Sequence, residues 1–390
     1  MRPALPATLV IGGRVLALNV LKRADSRKAA ILRYNAGMPA LRAGSFPPRP
    51  ALPAYLAPLA EQAPVRRLSR GQKVVVFSDL HLGGGGRRDD FLPNGELLAA
   101  ALRRYYLPGR FTLVLNGDVE ELQRYYLPQI RRQWAGFYAL LEQFASRGRL
   151  ERLVGNHDAE LAVLGDSYPA PRLLESLRLE LGRESLLLFH GHQASYLQTR
   201  FLGLATFLLR YVANPLGIHN WSVARSSRRR FRVERRVYAF ARGRRQVVLI
   251  GHTHRPLFES LSRLDALRFR IENLCRQIPV GGRRRATLER ELTARKEELE
   301  QVAARRGRDP DGSLYDFPLL VPCLFNSGCC IGKRGLTGLE IAGGGIALVH
   351  WFDQNRSRHT GEALEGTPYR REVLEQEPLD YLFTRVRLLS

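Results

Sequence analysis

Five short apolar runs, each followed at once by metal-ligand residues, restrict this chain more than any other feature. Val74 to Phe77 precedes Asp79-Leu80-His81, Phe111 to Leu115 precedes Gly117-Asp118, and Leu150 to Val154 precedes Gly155-Asn156-His157-Asp158. Leu186 to Phe189 precedes His190-Gly191-His192, and Val247 to Ile250 precedes Gly251-His252-Thr253-His254. The runs are of strand length and apolar apart from Thr112 in the second and Glu151 and Arg152 in the third, so they predict buried strands of an α/β sheet. Loops at the carboxyl ends of such strands gather on one rim, where ligands distant in sequence can share a metal centre.

The remainder of the chain fits that core. A length of 390 residues with 45% hydrophobic content allows one large α/β domain with insertions. Four cysteines, two of them the adjacent Cys329 and Cys330, do not make a disulfide framework and point to a reducing compartment. The formal charge of +24 is almost all arginine, and arginine favours phosphate, nucleic acid or acidic lipid. No apolar run reaches the roughly 18 residues of a membrane span. Ala7 to Gly12, with only Arg2 ahead of it, makes a poor signal peptide. The expected location is cytoplasmic, with peripheral contact at an anionic inner-membrane surface.

Residues 1–70 form a proline-rich arm. Residues 71–256 and 317–355 make the core, in which Gly95 to Tyr106, Gln129 to Arg147 and Pro171 to Leu181 carry helical spacing between the strands. Within 193–245, Tyr196 to Leu216 is apolar, and Arg225 to Arg245 holds ten arginines against one acid, Glu234. A helical basic lid is expected there. Leucines three and four apart, broken at Pro279-Val280-Gly281-Gly282, predict an antiparallel helical hairpin from 257 to about 306 within an insertion spanning 257–316, suited to self-association. Leu319 to Phe325, Gly338 to Ala342 and Ile346 to Trp351 read as closing strands of a second sheet, and 356–390 as a charged tail.

The ligand types carry the chemistry. Asp79 and His81, two apart at a strand end, can point to one metal. Gly117 lets the backbone turn tightly beside Asp118. The Asn156 carbonyl can ligate, leaving His157 toward substrate, and His252 and His254 repeat the two-residue spacing. Six of the nine histidines fall in these motifs.

Together, Asp79-x-His81, Gly117-Asp118, Gly155-Asn156-His157-Asp158, His190 and Gly251-His252-x-His254 resemble the five signature blocks of the calcineurin-like metallophosphoesterase superfamily. The resemblance covers residues 72 to 256 and the strands after 318. It implies an α/β (α+β) fold, a four-layer αββα sandwich with helical insertions, and two divalent metal ions at the strand ends, manganese first, with iron or zinc as alternatives. By the same resemblance Asp79, His81 and His254 would hold one metal, Asn156, His190 and His252 the other, with Asp118 between. His157 would act as the catalytic histidine, oriented by Asp158. Glu121 would orient a ligand, His192 would sit behind the ligands or touch substrate, and Arg87, Arg88 and Arg255 would meet a phosphate.

The implied activity is binuclear metal-dependent hydrolysis of a phosphomonoester, phosphodiester or pyrophosphate by metal-activated water. The block around Asn116 to Glu121, and an insert before Gly251, resemble the UDP-2,3-diacylglucosamine diphosphatase branch. His157 stands where that branch usually has arginine. Four readings follow: a phosphoesterase on a small phosphorylated or lipid-linked substrate, a UDP-diacylglucosamine-type lipid pyrophosphatase, a nuclease-like phosphodiesterase drawn to nucleic acid by the basic cluster, and a non-catalytic metal-binding scaffold.

Overall fold

The computed structural model describes residues 8–11, 14–17, 54–69, 71–195, 227–278, 284–304, 321–357 and 360–390. The apolar stretch 196–216 and most of the N-terminal arm lie outside the described residues. The chain divides into two units, Met1–Arg49 and Pro50–Ser390. In the first, β1 (Thr8–Ile11) pairs antiparallel with β2 (Arg14–Ala17).

The second unit begins earlier than an arm ending at 70 would allow. Leu56 and Ala60, the latter on α1 (Ala57–Glu61), are buried in the main core, and β3 (Val65–Arg67) joins a sheet. Next come β4 (Lys73–Phe77), α2 (Gly95–Ala101) running into a wider π turn at Leu102–Tyr106, and β5 (Phe111–Asn116). The long helix expected to Arg147 is interrupted at Trp134, giving α3 (Leu127–Gln133) and α4 (Ala135–Ala145). Then follow β6 (Leu150–Leu153) and α5 (Glu160–Leu164).

The helix expected over Pro171 to Leu181 is not formed. Instead β7 (Leu173–Leu174) and β8 (Ser176–Leu181) are strands, and β8 pairs antiparallel with β9 (Glu184–Phe189). Leu177, Leu179 and Leu181 alternate with Ser176, Arg178 and Glu180, and this two-residue period prevails over the leucine spacing once a hairpin partner is present.

The chain resumes with α6 (Ser227–Gly243) and β10 (Val247–Ile250). A short pair, β11 (Leu257–Phe258) and β12 (Leu261–Ser262), occupies the start of the expected hairpin. Glu259 and Ser260 both take positive φ, 50° and 67°, as a two-residue hairpin turn requires. Helix therefore starts only at α7 (Arg263–Gln277), which packs on α8 (Arg285–Ala304). After β13 (Leu324–Asn326), β14 (Leu336–Ala342) and β15 (Gly345–Asp353), the charged tail proves to be structured as β16 (Glu362–Ala363), β17 (Tyr369–Pro378) and α9 (Leu379–Leu389).

Among the described residues of the second unit the strands form two mixed sheets, β12-β11-β13-β10-β9-β8-β3 and β16-β17-β15-β14-β4-β5-β6-β7. The closing strands thus divide, β13 to the first sheet and β14 and β15 to the second. Val75 and Phe77 pack with Leu97, Leu98, Phe137 and Leu141 of the helices, while Val74, Val76 and Val114 pack with leucines of β8 and β9. The opposite face of the first sheet is covered by Val233, Val237 and Phe240 of α6, with Phe240 edge-on to Phe189. The layers run helix, sheet, sheet, helix, and burial on both faces explains the unbroken apolar runs in β4, β9 and β10. No helix among the described residues is long and apolar enough to cross a membrane.

Candidate metal centre

The ligand-bearing loops come from two sheets. Those after β4, β5 and β6 belong to the eight-stranded sheet, and those after β9 and β10 to the seven-stranded one. The loops meet through backbone bonds: Asp79 N–H donates to Gly117 O at 3.1 Å, His81 N–H to Asp118 O at 3.0 Å, and Gly251 N–H to His190 O at 2.9 Å. Across the sheets, His252 N–H donates to the Asp79 carboxylate at 2.9 Å, and the Ser78 and Ser327 hydroxyls lie 2.7 Å apart.

Glycine makes that approach feasible. A Cβ on Gly117 (φ 82°) would stand 2.5 Å from His190 Nδ1, and one on Gly251 2.6 Å from Asp79 Oδ2. The ligand residues themselves are strained. Asp79, His81, Asp118, His252 and His254 all have φ between 52° and 65°, a left-handed region costing non-glycine residues about 1–3 kcal/mol each. Such backbone persists only where surrounding bonds over-determine it.

The side chains gather into three groups, each able to hold a metal ion: Asp79, His81 and His254; Asp118, His190 and His252; His81, Asp118 and His157. His254 Nε2 lies 3.1 Å from Asp79 Oδ1 and 3.2 Å from His81 Nε2. His190 Nε2 lies 3.1 Å from Asp118 Oδ2. The second nitrogens explain why these atoms face inward. His190 Nδ1 donates to Asn116 O at 2.7 Å, and His81 Nδ1 stands 3.1 Å from Glu121 Oε2, so each ring turns its Nε2 to the cluster.

The buried atoms without hydrogen bonds test whether a metal fits. Asn156 Oδ1, His190 Nε2, His252 Nε2 and His192 Nδ1 are buried and make none. Orphaned buried polar groups cost about 1–3 kcal/mol each. A divalent cation accepting Asn156 Oδ1 and the two imidazole lone pairs would remove that penalty, and mixed nitrogen and oxygen donors suit manganese, iron or zinc.

The electrostatics of the clustered side chains agree. Burial opposes the charge on Asp79, but His254 and His190 outweigh it and hold the carboxyl at about 2. Asp118 likewise lies well below the usual carboxylate range despite burial, through His190 and His157. Burial lowers His190, yet Asp118 and Asp79 raise it to about 9. His252 and His192 are lowered by burial and by His190, His192 to about 3.

Other expected residues are placed differently. Asp158 does not orient His157: its carboxylate accepts from Val119 N at 2.8 Å and Gly155 N at 2.6 Å, fixing the two ligand loops together. Glu121 takes that part, with Oε1 2.8 Å from His157 Nδ1. Burial acts against a charged His157, but Glu121 and Asp118 raise it to about 9. Arg255 is no free phosphate arm, because its guanidinium pairs with Glu234. Arg87 and Arg88 are exposed on the turn beyond Gly83. His192 is buried, its ring 5.5 Å from His190 and 6.3 Å from His252.

No family model matches the chain, and no curated protein matches it. Solved structures do. A conserved uncharacterized protein of Streptococcus pneumoniae, described as a predicted phosphoesterase, is 13% identical, covering 78% of this chain and 99% of its own, with a TM-score of 0.29. Vacuolar Protein Sorting 29 of Cryptosporidium parvum is 10% identical over 80% of this chain and 100% of its own, with a TM-score of 0.34. A mutant Vps29 of Entamoeba histolytica is 12% identical over 77% and 98%, at 0.28. At such scores the function rests on the cluster itself.

Proposed function

We propose that the chain is a binuclear metal-dependent phosphoesterase acting on a small phosphorylated or lipid-linked substrate. The observation that carries this reading is the set of buried atoms without hydrogen bonds, Asn156 Oδ1, His190 Nε2 and His252 Nε2, gathered with Asp118 beside the Asp79, His81 and His254 group. Asp79, His81 and His254 would hold one cation, Asn156, His190 and His252 the other, and Asp118 would contact both.

Bound there, divalent cations would supply Lewis acidity toward a phosphoryl oxygen and would lower the pKa of a bound water. The chain's own residues supply the rest. Glu121 accepts from His157 Nδ1, so the second nitrogen of the charged ring keeps a proton, 4.0 Å from Asp118 Oδ2, to give to a leaving oxygen. Asp158 keeps the loops carrying Asp118 and His157 in register.

The test is hydrolysis of bis-p-nitrophenyl phosphate by metal-stripped protein reloaded with Mn²⁺, alongside counting of bound metal. The expected result is two metals per chain and turnover that requires them. Two metals with no turnover of any mono- or diester would favour the scaffold reading. A UDP-linked acyl lipid is the first natural substrate to compare with nucleic acid and nucleotides, because the branch resemblance names it. Salt-sensitive nucleic-acid cleavage, lost on neutralising the arginines of 228–236, would make the chain a nuclease instead.

A further inference from the structure

Glu234 is the one acid among the ten arginines of 225–245, and it is fully buried. Helix α6 turns it inward between Val233 and Val237, toward the loop that carries His252 and His254. Thr253 Oγ1 donates to Glu234 Oε1 at 2.7 Å, Arg255 Nε donates to the same oxygen at 3.2 Å, and Arg255 Nη2 pairs with Oε2. Thr253 Oγ1 also accepts from Asn326 Nδ2 at 2.9 Å, and Asn326 Nδ2 bonds Gly251 O at 2.9 Å.

Thr253 sits where the backbone most needs such support. It separates two left-handed residues, His252 at φ 65° and His254 at φ 54°. Its own N–H bonds Gly251 O at 2.7 Å, closing a three-residue turn around His252. Turns of that form with positive central φ are rare and strained. Bonds from outside the loop hold it: Glu234 and Asn326 on the Thr253 hydroxyl, and the Asp79 carboxylate on the His252 N–H. The same helix reaches the fourth ligand loop, where Arg236 Nη1 donates to Ala194 O at 2.9 Å.

We propose that Glu234 is a positioning residue for the metal centre: acting through Thr253 and Arg255, it holds His252 and His254 in the strained backbone that aims one imidazole at each cation. This rests on the binuclear reading above. Glu234 touches neither metal nor substrate, and its carboxylate matters by where it keeps the Thr253 hydroxyl. A change there should act on both sites at once, since one ligand of each flanks Thr253.

The experiment is calorimetric titration of Mn²⁺ into metal-stripped wild type, Glu234→Gln, Thr253→Val and Thr253→Ser, with thermal unfolding of each metal-free protein. Orienting partners of metal ligands typically account for about 10- to 100-fold in affinity. Glu234→Gln and Thr253→Val should weaken Mn²⁺ binding at both sites by about that factor, and Thr253→Ser, which keeps the hydroxyl, should restore it. Folded Glu234→Gln or Thr253→Val with the wild-type isotherm would overturn the proposal, and if Glu234→Gln does not fold the threonine pair decides. Wild type that takes up no Mn²⁺ would overturn the binuclear reading itself.

Discussion

Glu121 touches two imidazoles, His81 and His157, while only 4% exposed. Glu291 on α8 instead meets Arg270 of α7 at 2.7 Å with their side chains 30% and 62% exposed. The two regions use the same residue types under opposite dielectric conditions. At the strand ends each charge is buried among fixed partners, so removing one leaves another uncompensated. Along the hairpin, water screens both partners and the pair contributes little. Charge density thus says little about where the chemistry lies; burial of unsatisfied donors says much more.

Substitutions at the centre should separate the regions most strongly. Asp118→Ala removes the group shared by two of the candidate metal groups. Bound cations supply several kcal/mol toward a phosphoryl transition state, so turnover should fall by at least about 10³-fold with loss of bound Mn²⁺, read by steady-state kinetics and metal analysis. His157→Asn should lower kcat by about 10²- to 10⁴-fold with two metals retained. Loss of a metal in that variant would instead make His157 a ligand, as its grouping with His81 and Asp118 permits.

Backbone and hairpin variants probe the comparison more finely. Gly117→Ala places a Cβ against His190, and Mn²⁺ affinity should fall by about 10- to 100-fold in titration. Leu267→Ala on α7, where Leu267 is 2% exposed, should lower stability by about 2–5 kcal/mol in denaturant unfolding while the Mn²⁺ isotherm stays the same. Arg270→Ala should change stability by less than about 1 kcal/mol and activity not at all. A large metal effect from either hairpin variant would break the distinction between the two regions.

Much of this was legible before any coordinates. The runs Val74 to Phe77 and Val247 to Ile250 are strands because buried parallel strands need apolar residues on both faces. The candidate ligand residues come together because those strands end at neighbouring rims. What escaped was set by partners distant in sequence. Leu177 to Leu181 became strand because β9 was available to pair. Arg371 of the charged strand β17 is held by Glu340 on β14, a compensation invisible along the chain. Asp158 follows His157 directly, yet its carboxylate turns to Val119 and Gly155, and Glu121, more than thirty residues earlier, takes the imidazole. The lone acid among the α6 arginines was the one available signal for Glu234.

The position of β4 also bears on how the protein is made. Val76 pairs with Val114 on one side and with Leu339 on the other, near opposite ends of the chain. At ribosomal rates of about 5–20 residues per second, a nascent β4 has one bare edge for an interval on the order of tens of seconds. Before that interval closes, every candidate ligand from Asp79 to His254 has been made, and Asn326 with them, while β14 has not. The bare edge of β4 therefore outlasts synthesis of the whole cluster, and bacterial or cell-free synthesis that stalls before β14 should release a sticky, aggregation-prone sheet.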